Sequence, residues 1–528
     1  MFEIFRKIYL NSIFYDKKIS KTSLKNLEYK PSNYLLFSIV RIKTKKFNIK
    51  DFSLETVWTN KKLNQKQINK LNNFFWLFSL DLKSSAKEVQ LIIQNWIELN
   101  SKYNLISWGF DTTAKRLISW LSNCKLTYDG CDEDYKFIFN NIIQKQTFHL
   151  LNQIKQTDKY DDKLIGTAAI ILVGLSYKEE KKFLLRGLDF LKRITKTSLD
   201  ENGFPKSRSI KQSIFYLKYF ILIREWFNES QTEVPEFINE TIFYLGQSYA
   251  FFYKNYNFEV LFNGNNVSTH QEFDHYLKRL GYNFKYNDHE FSNYLNMRSK
   301  KTNLVMDIGP SPTKKFSQEY QAGALSFEFL SNGNKIFTNS GYFNTHNSKL
   351  NELSRSSAVH NVLIVDDNSS CKFKKKFNNK LELLSGLRII KKEISYNKDY
   401  WKVIVAHDGY LKKYNLIYER EIEFDPKDTK LSGIEKIIGK KEIKNLKFDI
   451  RFHLEPSSKL MKTQNNKSIF IDANGEGWKF VCNDNKIDID NGLYFGKKNS
   501  YTNNQHIFIS GISNNKIENI KWEIKKIQ

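Results

Sequence analysis

Residues 321–341 read QAGALSFEFLSNGNKIFTNSG, and residues 354–370 read SRSSAVHNVLIVDDNSS. In both, short apolar stretches alternate with polar residues, and clusters such as SNGN and DDNSS interrupt them. A period of two bounded by turn formers predicts β-strands joined by turns. The second piece carries one histidine, His360. A lone histidine on a strand is ordinarily a core or surface residue, so the question is whether the first piece completes a site around it.

Downstream the same period recurs. YWKVIVAHDGY (400–410), NLIYEREIEF (415–424), KSIFIDANGEGWKFVC (467–482), QHIFISG (505–511) and KIENIKWEIKKI (516–527) read as further strands, separated by turns such as DPKD. Many short strands at this spacing predict an antiparallel β-sandwich. Upstream, from residue 70 to residue 260, the period is helical. In SAKEVQLIIQNWIELNSKY (85–103), Ser85 and Glu88 have capping-box spacing, and Val89, Ile92, Ile93, Trp96 and Ile97 fall on one face. Further helices are predicted over 113–122, 134–154, 163–175, 181–194, 214–227 and 235–253. Such helices pair as antiparallel hairpins, and periodicity leaves an incomplete toroid and a solenoid both open.

The joint falls in NGNNVSTHQEFDHYLKRLGYNFKYND (263–288), where Gly and Asn break the helical pattern. There His270 and His275 stand five residues apart around Glu272, not at the four-residue spacing of a zinc helix, so they read as loop and surface. The expected division is an extension over 1–70 that packs on the helical domain, a helical domain over 71–285 and a β-sandwich over 286–528.

The chain has 528 residues, long enough for more than one core, with 41% hydrophobic and 15% aromatic residues. Its formal net charge is +26. That balance suits a polyanionic partner, and it equally suits lysines scattered over solvated faces. Neither an RRM signature nor zinc-finger spacing is present, so nucleic-acid binding rests on charge alone. Cys124, Cys131, Cys371 and Cys482 contain no CxxC pair, and a disulfide framework is not expected at this size, although Cys124 and Cys131 are close enough in sequence to pair. No stretch of about 18 apolar residues predicts a spanning helix. The opening MFEIFRKIYLNSIFYDKKISK is broken early by charged and polar residues and shows no evident cleavable signal.

Several motifs together resemble the heparinase II/III-like family of polysaccharide lyases. Residues 321–341 resemble its H-A-D-A-L-S-F-E…V-D-P-G block, and residues 354–370 its R-S-T-A-A-H-N-T block. HDGYLKKYNLIYEREIEF (407–424) resembles an H-D-G-Y…H-R-R segment. WGFDTTAKRLISW (108–120) keeps Trp108, Arg116 and Trp120 of a helix motif, and DENGFPKSRSI (200–210) keeps Arg208. The resemblance implies an α+β multidomain fold, an N-terminal (α/α) incomplete toroid followed by a C-terminal antiparallel β-sandwich. It implies β-elimination on a uronic-acid-containing acidic glycan, in the cell envelope or periplasm; the absent signal leaves the cytoplasm as the alternative.

Such an elimination needs a group that neutralises the uronate carboxylate, a base for the C5 proton and an acid for the leaving oxygen. Carried over position by position, the resemblance departs from the family pattern. An Asn-His pair becomes Asp162 and Lys163, and a tyrosine expected after Arg208 falls at Gln212. The three zinc-ligand positions become Gln321, Asn339 and His360, and neutral amides are poor zinc ligands, so no metal or other cofactor is expected. The catalytic candidates are His360, Lys163, Tyr410 and His407. Strand alternation puts His407 and Tyr410 on opposite faces, so a turn is needed to pair them. Arg208, Arg355, Gln321, Asn339 and Asp162 are the substrate-binding candidates, with salt bridges the ordinary alternative for the arginines. A second reading keeps the fold without the chemistry: a catalytically inactive glycan-binding or envelope polysaccharide assembly protein.

Overall fold

The structure, a computed structural model, describes residues 2–20, 24–39, 58, 63–80, 85–254, 259–267, 271–345, 349–376, 380–397, 400–464, 467–482 and 485–527. The chain divides into two compact units that interleave in sequence. The first holds residues 1–199, 214–245 and 270–283, and the second holds residues 200–213, 246–269 and 284–528.

The first unit is helical. It contains α1 (Phe2–Leu10), α2 (Ile13–Ile19), α3 (Asn33–Ile39), α4 (Gln65–Asn72), α5 (Ala86–Asn100) and α6 (Phe110–Ser122). Then come α7 (Glu133–Gln153), α8 (Tyr160–Ser176), α9 (Lys181–Ser198), most of α10 (Ile210–Glu229) and α11 (Glu236–Tyr249), and α12 (Gln271–Arg279). In α5 the expected face is buried at Val89, Ile92, Ile93, Trp96 and Ile97, and Ser85 Oγ caps it by accepting from Glu88 N at 3.4 Å. Helix α8 is buried continuously from Leu164 to Ser176, as a helix apolar on every side must be.

One expectation is corrected here. Residues 271–279 form a helix, not a loop, because Phe273, Tyr276 and Leu277 make a buried i, i+3, i+4 face between acidic and basic ends; His270 lies outside the described residues. The cysteines are free. Cys124 Sγ lies 3.0 Å from Leu121 O, and Cys131 Sγ lies 2.7 Å from Tyr128 O.

The second unit is built of strands. They run β1 (Glu290–Phe291), β2 (Tyr294–Arg298), β3 (Thr302–Asp307), β4 (Phe327–Ser331), β5 (Asn334–Phe337), β6 (Leu363–Val365), β7 (Lys372–Lys375), β8 (Leu381–Ser385) and β9 (Ile389–Asn397). The series continues with β10 (Tyr400–His407), β11 (Leu416–Asp425), β12 (Lys430–Gly439), β13 (Leu446–His453), β14 (Lys459–Lys462), β15 (Ser468–Ala473), β16 (Glu476–Cys482), β17 (Lys486–Tyr494), β18 (Thr502–Ser513) and β19 (Ile517–Lys526). They form a sheet ordered β1-β2-β3-β4-β5, one ordered β14-β15-β16-β19-β12-β11-β10-β9, one ordered β17-β18-β13-β6, and the hairpin β7-β8.

One apolar core joins the three larger sheets. Phe327 of β4 stacks on Trp522 of β19 at 5.9 Å, Phe329 meets Trp478 of β16 at 5.5 Å, and Phe452 of β13 meets Phe480 of β16 at 5.1 Å. Thr338 N donates to His453 O at 2.9 Å, tying the end of β5 to β13. The chain is thus helical in its N-terminal part and antiparallel β in its C-terminal part, as expected. The stretch around His360 differs from the strand reading. Lys349–Ser354 is a short helix and Ser357–Val359 a 3₁₀ turn, and β6 begins at Leu363. Serine side chains stabilise this turn, with Ser357 Oγ donating to Ala322 O at 2.7 Å.

Candidate functional site

Gln321, Asn339 and His360 all lie on loops at the ends of strands in the second unit. Gln321 precedes β4, Asn339 follows β5, and His360 caps the 3₁₀ turn before β6. Asn339 and His360 meet, with Asn339 Oδ1 3.3 Å from His360 Nδ1. The same oxygen accepts from Asn361 N at 3.3 Å, which fixes the amide orientation and makes Nδ1 of His360 the protonated nitrogen. Nε2 of His360 and Nδ2 of Asn339 are buried without a hydrogen-bond partner. Gly323 lets the main chain pass the imidazole, since a Cβ there would stand 2.8 Å from the ring. Burial lowers the His360 pKa to about 3. Its imidazole is therefore neutral at physiological pH and a weak base.

Gln321 is used differently. Its Oε1 accepts from Gly264 N at 3.0 Å, and its Nε2 donates to Gly341 O at 2.9 Å and to Ser354 O at 2.5 Å. The side chain is a brace between three stretches of main chain. This decides the question of zinc. One imidazole, one amide shared between His360 and Asn361, and one amide engaged at both ends do not form a zinc donor set. Among the described residues, no group of three or more His, Cys, Asp or Glu could hold a metal ion.

Arg208 stands beside this cluster. Its backbone is left-handed, at φ 64°, and the surrounding bonds hold it there. The guanidinium donates from Nη2 to Asp307 Oδ1 at 2.7 Å and to Asn293 O at 3.2 Å, and from Nη1 to Pro310 O at 2.7 Å. It lies 4.9 Å from the Tyr294 ring centroid, and a Cβ at Gly309 would collide with it at 2.1 Å. Asn263 Nδ2 donates to Asp307 Oδ2 at 3.0 Å and to Tyr294 Oη, and Tyr294 Oη donates to Arg208 O at 2.8 Å. Burial pushes the Asp307 carboxyl up and Arg208 pulls it back. The guanidinium offered for a sugar carboxylate thus has a protein carboxylate already.

Arg355 is buried too, but its partners are carbonyls. Nε donates to Tyr320 O at 2.9 Å, Nη1 to Leu381 O at 3.1 Å and Nη2 to Ser317 O at 2.6 Å, with the Phe373 ring 4.2 Å away. Burial lowers its pKa to about 10. His407 ends β10, and a turn does bring Tyr410 near it, with ring centroids 5.9 Å apart. Both are buried: Tyr410 Oη donates to Leu363 O at 2.7 Å, and His407 Nδ1 accepts from Gly409 N at 3.1 Å. Burial lowers the His407 pKa to about 4.

Asp162 and Lys163 lie in the first turn of α8, in the first unit, and Lys163 Nζ is 5.0 Å from the Tyr160 ring centroid. Gln212 Oε1 accepts from Ser207 Oγ at 2.6 Å. Arg116, also in the first unit, is fully buried and donates to Asn72 O, Ser107 O, Gln146 Oε1 and Thr113 Oγ1 over the Trp96 ring.

Sequence reasoning missed two features. The first is the ion pair of Arg420 and Glu435, both wholly buried at 2.8 Å. Arg420 shares its parity on β11 with Tyr418, Ile422 and Phe424, and a charge on an apolar face requires a buried partner. The second is a cavity of about 510 Å³ lined by Lys335, Glu259, Glu455, Tyr494, Tyr501 and Lys497 among others. Tyr494 Oη donates to Glu455 Oε1 at 3.2 Å, and burial pushes the Glu455 carboxyl up. Lys335 Nζ lies 2.9 Å from Glu328 Oε2, while Glu328 Oε1 accepts from Asn339 N at 2.9 Å. The cavity wall is thereby wired to the Asn339–His360 pair.

Residues 285–523 match the family model described as Heparinase II/III-like, C-terminal. Among solved structures the chain is similar to the heparan sulfate lyase HepC from Pedobacter heparinus, at 12% identity and a TM-score of 0.65, covering 98% of this chain and 87% of that one. It is also similar to heparinase III, the BT4657 gene product, at 14% identity and a TM-score of 0.69, covering 97% of this chain and 88% of that one. At these identities the likeness shows the fold. No curated protein sequence matches the chain.

Proposed function

Residues 285–523 belong to the heparinase II/III-like family, and on that premise we propose that this polysaccharide lyase-like protein binds a uronic-acid-containing acidic glycan without eliminating it at Gln321, Asn339 and His360. One observation carries the reading. The groups an elimination would recruit there are engaged inward: Gln321 braces main chain, Arg208 holds Asp307, and Arg355 is held by three carbonyls. The net charge of +26 favours a polyanion. The cavity beside Glu455 has the volume of a small-molecule site. It offers ring faces at Tyr494 and Tyr501, acceptors for sugar hydroxyls at Glu455, and a cation for a carboxylate at Lys497. The proposed compartment is the cell envelope or periplasm.

The test is incubation of the purified chain with a panel of uronate polymers. Binding is followed by calorimetry, and elimination by the ultraviolet absorbance of an unsaturated product. Binding without product, unchanged in His360→Ala, is the expected result. One observation favours the alternative of active β-elimination: Nε2 of His360 and Nδ2 of Asn339, on two side chains that meet through their other polar atoms, are left open. Unsaturated product that disappears in His360→Ala would establish that alternative, with His360 as the base.

A further inference from the structure

Helices α1 and α2 present a surface that the glycan reading does not use. Ile4, Phe5 and Ile8 are 63%, 64% and 63% exposed, and Ile13 and Phe14 are 70% and 81% exposed. Single exposed apolar side chains are ordinary, but a contiguous group marks an interaction surface. The helices are not loosely attached. Leu10, Tyr15 and Ile19 are buried on their other side, Tyr15 Oη lies 2.8 Å from His149 Nδ1, and Ser12 Oγ caps α2 by accepting from Tyr15 N at 3.2 Å. The same two helices carry the exposed Lys7, Lys17 and Lys18. Asp16 is paired with Lys145 at 2.6 Å.

We propose that the outward face of α1 and α2 is an interfacial binding site for an anionic lipid surface. Large apolar side chains interspersed with lysines suit the boundary between headgroups and acyl chains, where the rings and branched chains leave water and the ammonium groups meet lipid phosphates. A second copy of the chain fits less well, because a two-fold contact would set Lys7, Lys17 and Lys18 against the same cations. Nucleic acid fits less well too, because Ile4, Ile8 and Ile13 offer no plane on which a base can stack. The site lies wholly in the first unit and does not depend on the glycan reading.

The test is sedimentation of the full chain with vesicles of phosphatidylcholine alone and of phosphatidylcholine with phosphatidylglycerol. Three double variants are compared: F5S/F14S, K17E/K18E, and K440E/K441E as a control of equal charge change at exposed lysines elsewhere. The expected result is partition onto the anionic vesicles that falls at least about tenfold in F5S/F14S, since interfacial binding scales with buried apolar area. It falls in K17E/K18E as well and is unchanged in K440E/K441E. The altered phenylalanines are exposed, so the thermal transition of F5S/F14S should match that of the parent chain. Four results would overturn the proposal: no vesicle binding, equal binding to phosphatidylcholine alone, parent-like binding by F5S/F14S, or self-association in solution that F5S/F14S abolishes.

Discussion

Two polar networks meet inside the second unit, joined where Gln321 N donates to Asn263 Oδ1 at 3.4 Å. Around Arg208 and Asp307 the network is charged: the two Nη atoms of the guanidinium reach Asp307 and two carbonyls, and Nε is left open. Around Gln321, Asn339 and His360 it is neutral, and it is uneven: the glutamine uses its whole amide, while the histidine and asparagine each leave an atom open. A buried charge that loses its counter-charge costs far more than a buried neutral group that loses one hydrogen bond. The neutral side is therefore where a site can be remodelled and the fold survive.

That contrast can be broken from the charged side first. Asp307→Ala leaves the buried Arg208 guanidinium without a counter-charge, and equilibrium denaturation should show a loss of about 3–5 kcal/mol. Gln321→Ala removes bonds to one N–H and two carbonyls, and the same measurement should show a loss of about 2–3 kcal/mol. A loss for Gln321→Ala equal to that for Asp307→Ala would erase the distinction between the networks.

The next test uses pH. The folded His360 pKa of about 3 lies below the ordinary value of 6.5, so as pH falls through 6.5 the unfolded chain takes up a proton that the folded chain refuses. The histidine's contribution is full above pH 6.5 and declines toward pH 3, at up to about 1.4 kcal/mol per pH unit. His360→Asn should flatten the stability–pH curve in that window, and an unchanged slope would mean that the imidazole is already protonated in the fold. The smallest effect is expected from Tyr294→Phe, which deletes the donation to Arg208 O and the bond accepted from Asn263 Nδ2 while leaving the ion pair and the Asn263–Asp307 bond, at about 1 kcal/mol by thermal unfolding.

The regular elements were the most legible in sequence. Strand β12 alternates half-buried and buried residues along its whole length, and α5 buries the face its spacing prescribes, because in both the solvent boundary imposes the period. The segment before His360 was less legible. A serine-rich stretch beside an aliphatic one has the composition of a strand end, yet its hydroxyls bond locally and wind it into a turn. Asn339 and His360 are neighbours and Gly323 passes the His360 ring, but that Arg208 faces Asp307 depends on contacts 99 residues apart that no local spacing encodes.

Asn361, the residue after His360, has a consequence for how the chain reaches this state. Its Nδ2 donates to Phe327 O at 2.8 Å and Thr338 O at 3.2 Å, its Oδ1 accepts from His453 N at 2.6 Å, and its own carbonyl accepts from Arg420 Nη1 at 2.5 Å. One side chain and its peptide thus gather segments up to 92 residues away. Contacts of that range close late, after the loops between them have lost their freedom. Nascent chains that have not yet released β13 from the ribosome therefore lack the His453 N–H that donates to the Asn361 side-chain oxygen, and refolding should show the polar centre acquiring amide-exchange protection after the β11–β12 hairpin, whose pairing is local.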